Sequence, residues 1–366
     1  MEKTDITIIV THYNQNVFLK NCLKSIFNQK GIFYQLILVD DKSTVFDKND
    51  IETYIKNNCK ENLVEYSIVE NKFNIGTTRS LNNILDKIKS DYCIFIAADD
   101  ELNNAECLKN NINYIKNKNI DILITQQLMY DHNMKELFYK YVEEQYIKII
   151  KTFDNKRILN LLSRGCFFPS GATIYKSEYI KNEKFDIYCK LIEDWPTYLK
   201  ACLKNAQIDY FDQITLNHRD GGISHSEETS EAHVDFIHDI YVINCKYLIP
   251  NLNKLKFLNK IWVVRTFKYY KDRFKAESFI SNIQYKYISL LLILWYSFIR
   301  IKNFVDTQFF VNITLLLYII NTIVGENNIY HIIFKYYIII SAFLMASNIL
   351  YRIYETTNKK RINIRR

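Results

Sequence analysis

Glycine and proline are scarce, 7 and 3 residues in a chain of 366. That scarcity excludes collagen-like and Pro/Gly-rich low-complexity architectures. Together with abundant Lys, Asn and Ile, it reflects compositional bias more than function. No glycine precedes Gly31, so the turn after the first apolar run holds neither a glycine-rich phosphate loop nor a G-x-G-x-x-G fingerprint. The eight cysteines (Cys22, Cys59, Cys93, Cys107, Cys166, Cys189, Cys202, Cys245) are scattered without C-x-x-C spacing. They indicate neither a metal knuckle nor a disulfide framework, and they fit a reducing compartment. No arginine-rich helix, zinc pattern or aromatic RNA-binding signature accompanies the net charge of +8, so nucleic acid is not an expected partner. Met1-Glu2-Lys3-Thr4-Asp5 runs into an apolar stretch without the basic-then-apolar order of a secretory leader. The globular part is therefore expected inside the cell.

What the chain does have is apolar mass: 48% of its residues are hydrophobic, ample for a buried core in one domain or two. Ile6 to Val10 is a short β-branched run, and apolar residues 18, 19, 22, 23 and 26 recur at the spacing of one helix face. The pattern predicts a strand followed by a helix over Val17–Phe27. Further strands are predicted at Gln35–Val39, Val64–Val69, Tyr92–Ala97, Ile120–Thr125 and Gly171–Tyr175, and helices near 48–57, 78–89, 104–117, 156–163 and 196–204. Such alternation predicts an α/β domain over residues 1–240, a mostly parallel sheet flanked by helices. No fixed-period repeat or low-complexity linker divides it.

A helical connector over 241–286 leads to three apolar stretches within 287–351: 287–299, 307–324 and 336–351. The last two contain no Asp, Glu, Lys or Arg, and each lies near the lower limit of about 17 residues for crossing a bilayer. A membrane hairpin, helices lying in the interface, and a buried helical subdomain or dimer interface all remain open. The tail 352–366 carries Arg352, Lys359, Lys360, Arg361, Arg365 and Arg366 against Glu355, and the positive-inside rule places it in the cytoplasm. The expected location is the cytoplasmic face of the cell membrane, with the C-terminal region as anchor. The sequence specifies no oligomeric state.

In an open α/β sheet, ligands bind beyond the carboxyl ends of the strands, and polar residues collect there. The first strand ends in Thr11-His12-Tyr13-Asn14, the second in Asp40-Asp41-Lys42-Ser43, the third in Asn71-Lys72-Phe73-Asn74-Ile75-Gly76, and the fourth in Ala97-Ala98-Asp99-Asp100. Each alone is ordinary cap and turn chemistry; four together point to one polar crevice. The run Ile94-Phe95-Ile96-Ala97 delivers two adjacent carboxylates, Asp99 and Asp100. These repel each other unless a cation sits beside them, and oxygen ligands suit Mg²⁺ or Mn²⁺.

With Asn74-Ile75-Gly76-Thr77-Thr78-Arg79-Ser80-Leu81-Asn82 after the third strand, the series resembles family 2 glycosyltransferases of the GT-A fold, over roughly residues 1–225. The resemblance implies a Rossmann-like GT-A sheet whose first two loops hold nucleobase and ribose through Thr11, Tyr13, Asp40 and Asp41. Asn74 and Gly76 fall on the same nucleotide side, and Arg79 would approach ribose or diphosphate. The family's D-x-D metal motif is matched in part: its first Asp corresponds to Ala97, Asp99 keeps the metal-binding position, and Asp100 follows.

In the second half, Phe168-Pro169-Ser170-Gly171-Ala172 either lets an acceptor approach the backbone at Gly171 or makes a tight turn into a strand. Glu193-Asp194-Trp195-Pro196 opens a helix, where acids are favoured by the dipole. By the resemblance it matches a Glu-Asp motif whose Asp, here Asp194, is the general base, with Glu193 and Trp195 beside it on the acceptor side. Trp195 either stacks on a sugar or packs in the core. Asn217-His218-Arg219-Asp220-Gly221-Gly222-Ile223-Ser224-His225-Ser226 resembles the family's Arg-containing loop. There Arg219 would contact the diphosphate and Ser224 support the loop, while His218 or His225 either adds a metal ligand or serves structure.

The resemblance implies a metal-dependent, inverting transfer of sugar from a nucleotide-diphosphate donor to a hydroxyl of a glycan or lipid-linked acceptor, in surface polysaccharide or glycolipid synthesis. One rival is a sugar nucleotidyltransferase, whose glycine-rich loop is missing here. Another is a catalytically inactive membrane assembly protein that binds nucleotide sugar; Ala97 invites it and Asp194 opposes it.

Overall fold

The computed structural model describes residues 4–116, 118–221 and 230–274. Ser224, His225, the apolar stretches of 287–351 and the basic tail lie outside the described residues. Among the described residues no helix is long and apolar enough to cross a membrane.

The described strands are β1 (Ile6–His12), β2 (Tyr34–Asp40), β3 (Leu63–Glu70), β4 (Tyr92–Ala97), β5 (Glu101–Leu102), β6 (Ile122–Tyr130), β7 (Leu137–Lys140), β8 (Thr173–Lys176) and β9 (Ile208–Arg219). They form one sheet in the order β3-β2-β1-β4-β8-β6-β9-β5, with β7 paired to β6. The strand period of two divides β1 and β2 between two cores. Ile9, Ile37 and Val39 face one apolar cluster, whereas Ile8, Val10, Leu36 and Leu38 face the other. Helices Asn16–Phe27 and Lys48–Asn58 cover the second face through Leu19, Leu23, Ile26, Ile51 and Ile55. Helices Asn155–Leu162 and Asp194–Leu203 cover the first through Ile158, Leu159, Tyr198 and Leu199.

The sheet is mixed, which corrects the mostly parallel expectation. β3, β2, β1 and β4 pair in parallel, as do β6 and β9, but β8 is antiparallel to both β4 and β6. The segment before β8 crosses the carboxyl ends of its neighbours, so the strand must run back. β5 turns immediately out of β4 and pairs antiparallel with β9 for the same reason. The predicted helix 78–89 stops at Asn82, whose side-chain amide is taken by the Phe185 backbone on both sides (2.9 Å each).

The described part of the expected connector belongs to the domain. Helix Glu231–Ile243, a π-helical turn over Asn244–Leu248, a 3-10 segment over Ile249–Lys254 and helix Phe257–Phe274 follow one another. Leu248, Leu255, Val263, Val264 and Phe267 are buried in the same core as the sheet.

Candidate active site

The parallel register aligns four strand ends at one edge, as the sequence leads one to expect. His12 stands opposite Asp40, Asp40 opposite Glu70, and Thr11 opposite Ala97. The acids there divide into those spent on the fold and those left over.

Asp40 is spent. Its carboxylate pairs with His12 Nδ1 (2.8 Å) and accepts from the Ser43 hydroxyl (2.5 Å) and amide (3.1 Å). Asp41 is spent too: Asn71 Nδ2 (2.9 Å), the Ile75 amide (2.9 Å) and the Gly76 amide (2.8 Å) all donate to it. These two buried carboxylates shape the loops after β1, β2 and β3. Gly76 has φ +84°, and a Cβ there would lie 2.6 Å from Lys190 O. Thr78 donates its hydroxyl to Cys189 O and its amide to Lys190 O (3.3 Å). This loop therefore seats directly on the segment leading to Asp194. Tyr13, Asn74 and Arg79 are exposed, and Thr11 is half-buried with its hydroxyl 3.5 Å from Ile96 O.

At the end of β4 the acid pair is unequal. Asp100 is held by His218 Nδ1 (2.9 Å) and by the Arg219 amide (3.1 Å). Burial pulls the His218 pKa down, but Asp100, its hydrogen bond and Asp99 outweigh that, and the ring titrates above its ordinary value. Arg219 is 4% exposed. Its Nε donates to Asp99 O (3.0 Å), Nη1 to His132 O (2.6 Å) and Nη2 to Glu101 (3.1 Å), and Phe18 stacks 4.2 Å from the guanidinium carbon. Arg219 is a clamp between β4, β6 and β9, and its guanidinium is engaged with protein groups where a diphosphate contact is expected. Gly171 permits a close approach: a Cβ would meet Leu216 Cδ2 at 2.5 Å and Asp100 Oδ2 at 3.6 Å. Leu216 thus fills the space expected for an acceptor.

Asp99 remains. Burial, then the charge of Asp100, push its pKa up to about 6. A carboxylate so placed fits a hard divalent cation, whose charge would offset both penalties. Among the described residues no group of three or more His, Cys, Asp or Glu forms a cage for one. A bound Mg²⁺ or Mn²⁺ would rest on Asp99 and on oxygens brought by a diphosphate, with Asp100 outside the donor set.

Asp194 is the first residue of helix Asp194–Leu203. Its Oδ1 accepts from the Trp195 amide (2.7 Å) and its Oδ2 from the Cys166 thiol (3.4 Å). Burial raises its pKa against these two bonds. Glu193 beside it is pushed up to about 8 by burial and then by the Asp194 charge. Of the two, Glu193 holds its proton more strongly, because the Asp194 charge adds to its burial. Trp195 is 8% exposed, packs in the core and donates its indole N–H to Leu162 O (2.9 Å). It is not available to stack on a sugar.

Two residues at this site escape sequence reading. Cys166 is one lone cysteine among eight. Asp239, fully buried in helix Glu231–Ile243, accepts the amides of Lys190 (2.8 Å), Leu191 (2.7 Å) and Ile192 (2.9 Å), and so fixes the approach to Glu193 and Asp194. The short segment from Cys166 to Gly171 touches Asp194 at one end and Asp100 at the other. It thereby ties the end of β4 to the start of helix Asp194–Leu203.

Comparison with known proteins agrees with this frame. Residues 7–181 match the model of Glycosyl transferase family 2. The chain is 27% identical over 226 residues to the poly(ribitol-phosphate) beta-glucosyltransferase of Bacillus spizizenii, covering 59% of this chain and 33% of that protein. It is 36% identical over 97 residues to the teichoic acid poly(glycerol phosphate) polymerase of Staphylococcus epidermidis, covering 26% and 13%. The chain thus spans a third or less of the length of these two relatives. The crystal structure of S. aureus TarS 1–349 superposes with a TM-score of 0.50 at 22% identity, over 74% of this chain and 72% of that one, and shares the mixed sheet flanked by helices. The residues similar to Glycosyl transferase family 2 stop short of Asp194 and contain the ends of the four parallel strands β1 to β4.

Proposed function

We propose that this chain transfers a sugar from a nucleotide-diphosphate donor to a hydroxyl of a glycan or lipid-linked acceptor, with inversion at the anomeric carbon. The observation that carries the reading is Asp194, a carboxylate of raised proton affinity that the Cys166–Gly171 segment ties to the end of β4, where Asp99 stands. A base of that kind takes the acceptor hydroxyl proton as the oxygen attacks the face opposite the leaving diphosphate. Neutral Glu193 adds no second charge beside it. Tyr13, Asn74 and Arg79 are the exposed side chains available to the nucleotide, with the backbone of the loops that Asp40 and Asp41 hold. A divalent cation at Asp99 would supply charge stabilisation for the departing diphosphate. The relatives named for teichoic acid and poly(ribitol phosphate) support a polymer of that class as acceptor, and the sequence itself motivates a place on the cytoplasmic face of the membrane with the C-terminal apolar stretches as anchor.

The test is a panel of uridine, thymidine and guanosine diphosphate sugars with Mg²⁺ or Mn²⁺, scored for binding and for transfer. Asp194→Asn should keep donor binding and lose transfer by about 10²–10⁴-fold. Transfer by this variant at the parent rate would remove Asp194 as the base. Ala97 and the engaged Asp100 favour a second reading, a nucleotide-sugar-binding assembly protein without turnover. Cation-dependent donor binding with no transfer to any lipid or glycan acceptor would establish it.

A further inference from the structure

Helix Phe257–Phe274 has two faces of opposite character. Ile261, Val263, Val264 and Phe267 are buried, Phe267 stacks on Tyr241 at 5.7 Å, and Asn259 is fastened to Asn160 and Arg164. Leu258, Trp262 and Tyr269 lie four and seven residues apart, the spacing of one helical stripe. All three face solvent, Trp262 at 46% and Tyr269 at 60% exposure, with Phe257 at 56% beside them. Large aromatic side chains on an outer stripe are costly in water and need a cover.

Charge says what covers it. From residue 240 to 271 the chain has seven Lys or Arg and no Asp or Glu. Lys254, Lys256 and Lys268 are exposed and Lys260 is half-buried. Residues 275–366 carry eleven Lys or Arg against four Asp or Glu, so the rest of this chain is itself basic and is a poor electrostatic complement to the stripe. A second copy would bring the same charge. An aromatic stripe flanked by lysines matches a surface with an apolar interior and an anionic skin.

We propose that the outer face of helix Phe257–Phe274 docks on an anionic lipid bilayer, with Trp262 and Tyr269 at headgroup depth and Lys256, Lys260 and Lys268 against lipid phosphates. This deepens the membrane location proposed above and is independent of the transfer chemistry. It also holds the domain directly at the bilayer, ahead of the apolar stretches in the sequence.

The test uses the full chain and vesicles of phosphatidylglycerol and phosphatidylcholine, with bromine placed near the headgroup end of the acyl chains. Emission of the parent minus that of Trp262→Phe isolates Trp262 from Trp195 and Trp295. The expected result is at least twofold quenching of that difference. It should fall by half or more in pure phosphatidylcholine, or when Lys256, Lys260 and Lys268 are all changed to Glu. If the chain pellets with the vesicles while Trp262 stays unquenched, the docking face is wrong and the membrane location stands. If the chain does not pellet, the location fails and this face with it. If Trp262 is instead shielded from aqueous iodide in the absence of lipid, another protein segment covers the stripe and the proposal is overturned. Sugar transfer to a soluble acceptor, assayed separately, decides the proposed function without reference to any of these outcomes.

Discussion

The thiol of Cys166 donates to the Asp194 carboxylate across 3.4 Å, on the oxygen that the Trp195 amide leaves open. That bond favours the ionised form of the base. Cys166→Ala should therefore raise the Asp194 pKa and move the acid limb of the kcat profile to higher pH. The plateau rate should change by no more than about twofold, because general-base capacity follows the protonation state. Cys166→Ser keeps a donor and should restore the parent profile. The thiol itself is held well above its usual range by burial and then by the Asp194 charge. It should resist alkylation at neutral pH, where reactive cysteines are thiolates.

Glu193 sets a pH dependence of stability. Its carboxyl titrates near 8 in the fold against an ordinary value of 4.5, so between those values the folded chain keeps a proton that the unfolded chain releases. Unfolding free energy must then fall as pH rises through that window. From pH 5 to pH 8 the parent should lose about 1–3 kcal/mol more than Glu193→Gln, after allowing for sharing with Asp194. Denaturant melts at the two pH values measure this; equal losses would place Glu193 outside the pair.

Asp99 and Asp100 should separate by experiment. Asp99→Ala should abolish the cation dependence of donor binding and leave the melting temperature within a few degrees. Asp100→Ala strands His218 and the Arg219 amide, and should cost about 1–3 kcal/mol of stability, the usual loss for an unpaired buried partner. Titration calorimetry with and without Mg²⁺, beside thermal melts, reads both effects. The assignment fails if the two variants behave alike.

Asp239→Ala leaves three amides of the base loop without their acceptor. A stability loss of about 2–4 kcal/mol is expected. Asp239→Asn, which retains one acceptor oxygen, should lie between that variant and the parent. Transfer by the Asn variant should fall in kcat with donor affinity unchanged, since the loop positions the base and does not touch the nucleotide. A fall in donor affinity with unchanged kcat would assign this loop to the nucleotide side.

Most of the first half of the fold is legible in the sequence, because β1, β2 and β4 are apolar runs that bury both faces. β9 is not: Asp209, Gln213, Thr215 and Asn217 interrupt its pattern, although Asp209 and Thr215 are buried and bonded to Tyr114 and Asn111. β7 escapes for the opposite reason, since all four of its side chains are exposed. At the site, the resemblance points to Asp99 and Asp194, whereas the fates of Asp40, Asp41, Asp100 and Arg219 depend largely on distant partners, from 28 residues away for Asp40 and His12 to 120 for Arg219 and Asp99. No local spacing reports such partners, and the same distance hides Asp239.

The inward turn of Asp40 and Asp41 bears on how this protein is free to diverge. The loops after β1, β2 and β3 are braced by these buried carboxylates, while Tyr13, Asn74 and Arg79 are exposed. Substitution at those three positions should therefore leave the melting temperature nearly unchanged. Donor preference can then drift through a series of folded intermediates, with no compensating change demanded of the sheet.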